Sequence, residues 1–176
     1  MPDRVRALLV IDVQVGMFNE ADPVHDGGRL LGAVAGLLSR ARAADAPVVF
    51  VQHDGRAGSG LAPGTPGHAI HPDVVPLDEE PVVHKTTPDA FFATELDATL
   101  RRRGVRELVV CGIQTDLCVD TTCRRASSLG YDVILARDAH STWPRLGLSA
   151  EQIIAHHNDI LCDWFATGQP ADEIRF

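Results

Sequence analysis

Arg6–Val13 reads RALLVIDV, and this stretch decides the fold class. Its apolar run, Ala7–Ile11, leaves no position for solvent on either face. It therefore reads as a strand buried on both sides, as strands of a helix-covered parallel sheet are. The run closes on a carboxylate, Asp12, and the polar Gln14 follows two residues later. A carboxylate that ends a buried strand must be paired or solvated.

Strand and helix patterns alternate outward from this run. Gly28–Ala44 places Leu30, Leu31, Val34, Leu37, Leu38 and Ala41 at helical spacing. Pro47 introduces a second strand, Val48–His53. Residues 54–80 are rich in Gly and Pro without periodicity, and a loop of this length is functional or mobile. Pro81–Lys85 reads as a short third strand, and Phe92–Arg103 as a helix stopped by Gly104. Glu107–Cys111 reads as a fourth strand, with a tight turn at Gly112. Asp116–Leu129 reads as a helix ended by Gly130, and Tyr131–Ala136 as a fifth strand. Ser149–Ala166 reads as the last helix, with Ser149 and Gln152 spaced as a capping box. The tail Glu173–Phe176 is a candidate sixth strand. The alternation predicts one α/β domain over residues 1–176. It is a three-layer, Rossmann-like α/β/α arrangement with a mainly parallel five- or six-stranded sheet.

Composition narrows the function. A chain of 176 residues with 45% hydrophobic content can build a sizeable core. The net charge of -8 argues against nucleic acid as a partner. No apolar run approaches the roughly 20 residues of a membrane span, and the start lacks a secretion pattern. A cytoplasmic protein with a small-molecule substrate is expected. The four cysteines, Cys111, Cys118, Cys123 and Cys162, then read as reduced thiols rather than a disulfide framework. Cys111 lies in an apolar strand, and Cys123 and Cys162 lie within helices, so these three read as structural.

Ligands of parallel α/β sheets bind beyond the carboxyl ends of the strands. Asp12 closes the first strand, Lys85 closes the third, and Cys118 opens the helix after the fourth. A helix start offers free N–H groups and partial positive charge. Both are expected to lower a thiol pKa from its usual value of about 8.5 and to support an oxyanion. An Asp nearby can take the thiol proton and return it to a leaving amine. A Lys nearby would hold the pair together. His53 is expected to line the substrate pocket, and Gln14 to reach the triad or cap the loop.

The segment VVCGIQTDLCVDTTCRRA (109–126) resembles the signature of the isochorismatase-like cysteine hydrolases. That group includes nicotinamidases, N-carbamoylsarcosine amidase, ureidoacrylate and biuret hydrolases, and streptothricin hydrolase. LLVIDVQVGMF resembles the family's first strand, VVHKTTPDAFFATELDATL its lysine strand, and YDVILARDAHST the strand after the nucleophile helix. The resemblance covers nearly the whole chain and implies an Asp12–Lys85–Cys118 catalytic triad. It implies a cis peptide between Ile113 and Gln114, with the Gln114 and Cys118 N–H groups as the oxyanion hole. It implies Phe18 as an aromatic pocket residue, no organic cofactor, and a homo-oligomer, dimeric or larger.

Two features bear on substrate and metal. The metal-dependent nicotinamidases carry an Asp-x-His pair after the second strand, with a further His. This chain reads Gln52-His53-Asp54 there, with His68 and His71 beyond, so no metal is expected. Family members that cleave the isochorismate vinyl ether lack the nucleophilic cysteine, whereas Cys118 is present here. The expected activity is therefore hydrolysis of a small amide, ureido or cyclic-amide bond through a Cys118 thioester. The compact members, including the streptothricin hydrolase type that opens a cyclic amide, are the nearest comparison. The alternative expectation is a redox-responsive or ligand-binding protein that uses an activated Cys118 without turnover.

Overall fold

The computed structural model describes residues 5–176. Strand β1 (Val5–Ile11) is followed by helix α1 (Gly27–Ala43) and strands β2 (Val48–His53) and β3 (Val82–Lys85). Helix α2 (Leu96–Arg102), strand β4 (Val105–Ile113) and helix α3 (Asp120–Ser128) come next. Strand β5 (Asp132–Ser141), helix α4 (Ala150–Trp164) and strand β6 (Thr167–Gln169) complete the order. The strands form one sheet in the order β3-β2-β1-β4-β5-β6. Every pairing is parallel. The expected three-layer fold is present, with six strands among the described residues.

Strand alternation explains the two cores. Leu8 and Val10 of β1 face α1, packing with Leu30, Val34, Leu37 and Phe50. Ala7, Leu9 and Ile11 face the other way, toward Leu96 and Leu100 of α2, Cys123 of α3 and Leu161 of α4. All of these residues are at most 2% exposed. Each large apolar side chain buried to this degree contributes about 1.5–3 kcal/mol. The strand order reverses direction between β1 and β4, and at such a switch point a crevice opens at the carboxyl ends. Asp12 and Cys118 follow those two strands.

Several boundaries differ from the sequence expectation. The sixth strand is Thr167–Gln169, not the tail at 173–176, where Ala171–Glu173 form a 3-10 turn. Helix α2 begins at Leu96 rather than Phe92, after turns that hold Ala93 at a φ of +54°. Gly112 makes no turn; it lies inside β4, at a shift in register with β5. Its φ is +125°, and a Cβ there would collide with the Ile11 carbonyl oxygen. Glycine is required because β1 and β4 approach too closely for any side chain. The capping box of α4 forms as expected: Ser149 Oγ accepts from the Gln152 N–H, and Gln152 Oε1 accepts from the Ser149 N–H. Among the described residues, no helix is long and apolar enough to cross a membrane.

Candidate active site

The end of β1 delivers Asp12 in the left-handed region, at a φ of +52°. Its N–H donates to the Val51 carbonyl, which ties the turn to β2. Lys85 ends β3, two strands away, and its long stem carries the ammonium back over the sheet. Lys85 Nζ lies 2.6 Å from Asp12 Oδ2, with both side chains fully buried. The ammonium thus balances the charge of the buried carboxylate. The same Nζ lies 3.2 Å from Cys118 Sγ and 3.4 Å from His53 Nδ1. The structure thus brings together Asp12, Lys85, Cys118 and His53.

Cys118 does not sit in the first turn of a regular α-helix. Thr115–Val119 form a π-helical turn that leads into α3. The Gln114 carbonyl accepts from the N–H groups of Leu117 and Val119, which fixes the turn against the end of β4. The Ile113–Gln114 peptide is cis.

The protonation state of Cys118 is opposite to the sequence expectation. Burial, and after it the Asp12 carboxylate, push the Cys118 thiol up to about 12, against the opposing effect of Lys85. Desolvation penalises the thiolate more than one ammonium favours it. Burial likewise raises Asp12 above the usual carboxylate range, although Lys85 and the Cys118 contact pull it down. The proton therefore rests on sulfur, beside a carboxylate with raised proton affinity. His53 is held below its usual value, first by burial and then by the Lys85 ammonium.

The other expected site residues have separate places. His53 lines an open cleft of about 520 Å³, together with Met17, Asn19, Arg56, Ser59 and Leu61. Gln14 is fully buried and holds the loop after β2. Its Nε2 donates to the carbonyls of His53 (3.0 Å) and His68 (2.8 Å), and its Oε1 accepts from the His53 N–H (2.9 Å). Phe18 packs its ring on His71, with centroids 4.8 Å apart, and lies against Gly27. His71 caps a 3-10 turn by accepting from the Asp73 N–H. Cys111 is buried in β4. Burial raises its thiol to about 12, and its Sγ lies 3.7 Å from the Leu9 carbonyl oxygen, consistent with a structural role.

Two groups near the site escaped the sequence reading. His140 of β5 is buried, with Nδ1 2.8 Å from Thr115 Oγ1 and Nε2 3.1 Å from Asn158 Oδ1. Burial lowers it to about 4, so it is neutral and braces the residue after Gln114. A histidine at the end of β5, in the stretch Arg137-Asp138-Ala139-His140-Ser141, was the available signal. Arg145 lies in the loop after β5, where Nε pairs with Asp116 Oδ2 (2.9 Å) and an NH2 group donates to Gln114 Oε1 (3.3 Å). The residues with metal-ligand chemistry also regroup. Asp54 and His68 come together with His84, and neither His53 nor His71 belongs to that group.

Comparison with known proteins follows the same line. The family model for the isochorismatase domain matches residues 6–151. A streptothricin hydrolase from Streptomyces noursei is 47% identical over 139 residues, covering 79% of this chain and 50% of that protein. The chain thus spans about half the length of that relative. The crystal structure of an isochorismatase from Pseudomonas putida KT2440 aligns with a TM-score of 0.93 at 30% identity, over 99% of this chain and 93% of that one. The crystal structure of a cysteine hydrolase from Pseudomonas syringae pv. phaseolicola aligns with a TM-score of 0.88 at 26% identity, over 96% and 90% of the two chains. With the family match spanning most of the sequence, the chain belongs to the isochorismatase family.

Proposed function

We propose that this chain is a cysteine hydrolase that cleaves a small amide, ureido or cyclic-amide substrate through a thioester on Cys118. The observation that carries the reading is one buried ammonium, Lys85 Nζ, held 2.6 Å from Asp12 and 3.2 Å from Cys118. Asp12 accepts the thiol proton as Cys118 Sγ attacks the carbonyl carbon. Lys85 stays charged and balances the negative charge that passes between sulfur and carboxylate. The N–H groups of Gln114 and Cys118 receive the developing oxyanion, as the family resemblance implies. Collapse breaks the C–N bond, and Asp12 gives its proton to the departing nitrogen. Water, deprotonated by Asp12, then attacks the thioester and releases the acid and the free thiol. No cofactor takes part in these steps, and His53 offers a neutral hydrogen-bonding group on the cleft wall.

The relative named streptothricin hydrolase favours the cyclic-amide member of this set as the first to test. The test measures ammonia or amine release across nicotinamide, ureido compounds and lactams, with intact-protein mass spectrometry alongside. An acyl adduct on Cys118, and loss of turnover in Cys118→Ala, are expected. Full activity in Cys118→Ala would overturn the proposal. The second reading, a redox-responsive or ligand-binding protein, is disfavoured by a resting thiol pushed up to about 12, because oxidation acts on the thiolate. Sulfenic acid or a mixed disulfide on Cys118 with no product from any amide would support it instead.

A further inference from the structure

His84 and Lys85 are neighbours on β3, and strand alternation sends them to opposite faces of the sheet. Their register partners are Gln52 and His53 on β2. Lys85 and His53 serve the Cys118 side. His84 instead meets Asp54, at the start of the loop after β2, and His68, midway along that loop. Asp54 Oδ1 lies 2.7 Å from His68 Nε2 and 2.9 Å from His84 Nδ1. All three potential ligand atoms lie within 4.8 Å of one another.

We infer that Asp54, His68 and His84 bind one divalent transition-metal ion of the Zn2+ class, which clips together the two ends of the segment 54–68 that walls the cleft. Zinc bonds of about 2.0–2.2 Å to nitrogen and oxygen put neighbouring donors of a tetrahedron about 3.4 Å apart, so small side-chain shifts admit the ion. Two imidazoles and a carboxylate suit Zn, Co or Ni rather than Ca or Mg. Two of the ligands stand on prearranged backbone. The Asp54 N–H donates to the Lys85 carbonyl at 2.8 Å. The His68 carbonyl accepts from both Gln14 Nε2 (2.8 Å) and Gln52 Nε2 (2.7 Å). The His84 side chain is 52% exposed, which leaves one side of the cluster open for a water ligand.

The consequence for the cleft follows from connectivity. Arg56, Ser59 and Leu61, which wall it, all lie between Asp54 and His68. An ion bound to both ends closes this segment into a ring and restricts its motion. The ion is structural, and its ligands are not the groups set around the Cys118 thiol, Lys85 and Asp12. The proposal is therefore independent of the hydrolase reading and is tested without activity.

The experiment uses Cys118→Ala protein, which removes a partly exposed thiol as a competing ligand, stripped with chelator and titrated with Zn2+ near pH 7.5. Calorimetry is expected to give one ion per chain. The melting temperature should rise by on the order of 5 °C at a hundredfold excess over Kd. Co2+ should develop the visible absorption of a low-symmetry site, and tryptic cleavage after Arg56 should slow. His84→Ala, an exposed position that folding tolerates, should weaken binding at least tenfold and abolish the Arg56 protection. His68→Ala, with its fold checked by melting of the stripped protein, should do the same. Absence of saturable binding, or binding unchanged in His84→Ala, would overturn the inference.

Discussion

Lys85 and Asp12 form an ion pair, 2.6 Å between Nζ and Oδ2, in which neither side chain meets solvent. Breaking such a pair by removing one partner leaves a buried charge without compensation. Lys85→Met keeps the stem volume and deletes the charge. It is expected to destabilise the fold by about 3–5 kcal/mol, or to force Asp12 to stay protonated to much higher pH. Denaturant unfolding at several pH values measures this. An unchanged unfolding midpoint at neutral pH would contradict the buried pairing.

Cys118 is expected to be a slow nucleophile toward external reagents, because its thiol is pushed up to about 12. Thiolate reacts with iodoacetamide and thiol does not. Labelling of Cys118 should keep rising above pH 9.5, where an exposed thiol has already reached its plateau. The linked stability has a definite sign. A thiol raised in the fold contributes stability fully below the unfolded value near 8.5, and loses it as pH rises toward 12. A labelling plateau by pH 9 would show that the helix start, not burial, governs the sulfur.

His140 predicts an acid-side effect. Its folded value, lowered to about 4 by burial, lies below the unfolded value near 6.5. The unfolded chain therefore binds a proton that the native state refuses, and stability is lost as pH falls from 6.5 toward 4. The slope for one such group is about 1 kcal/mol per pH unit. In His140→Gln this part of the pH dependence should flatten, with kcat reduced through the loosened Thr115 and KM little changed. An unchanged slope in the variant would assign the acid lability to other groups.

Gln14→Ala removes three hydrogen bonds that join the end of β1 to His53 and His68. Leaving buried backbone groups unpaired costs about 1–3 kcal/mol each where water cannot replace the amide. The expected outcome is clear destabilisation together with a raised KM, since His53 lines the cleft. Thermal unfolding and steady-state kinetics on the substrate found by screening check both parts.

Gly112→Ala is expected to cost at least about 3 kcal/mol or to abolish folding, because the position has a φ of +125° and faces the Ile11 carbonyl. Soluble expression and unfolding of the variant are the readouts. Wild-type stability would mean that β1 and β4 can separate, which their paired register argues against.

Much of the site was legible because its residues close strands. An acid ending the buried run Ala7–Ile11, a lysine ending a short strand and a cysteine after a fourth strand fall together once the sheet is parallel. Gly112 misled the reading: Gly after an apolar run suggests a turn, yet here it permits a close strand approach. Gln14 was open between reaching the triad and capping the loop, and its side chain bonds the backbone of His53 and, in the loop, of His68.

Alternation of apolar runs by itself determined the parallel α/β fold, because strands buried on both faces have no other use for that pattern. The chain's order also determined which residues could reach the strand ends. Only the tertiary structure decided the charge state of Cys118, because desolvation depends on everything packed around the sulfur and not on its position along a helix. Only the tertiary structure brought His84 to Asp54 and His68, through a β2–β3 register that sets neighbouring side chains on opposite faces.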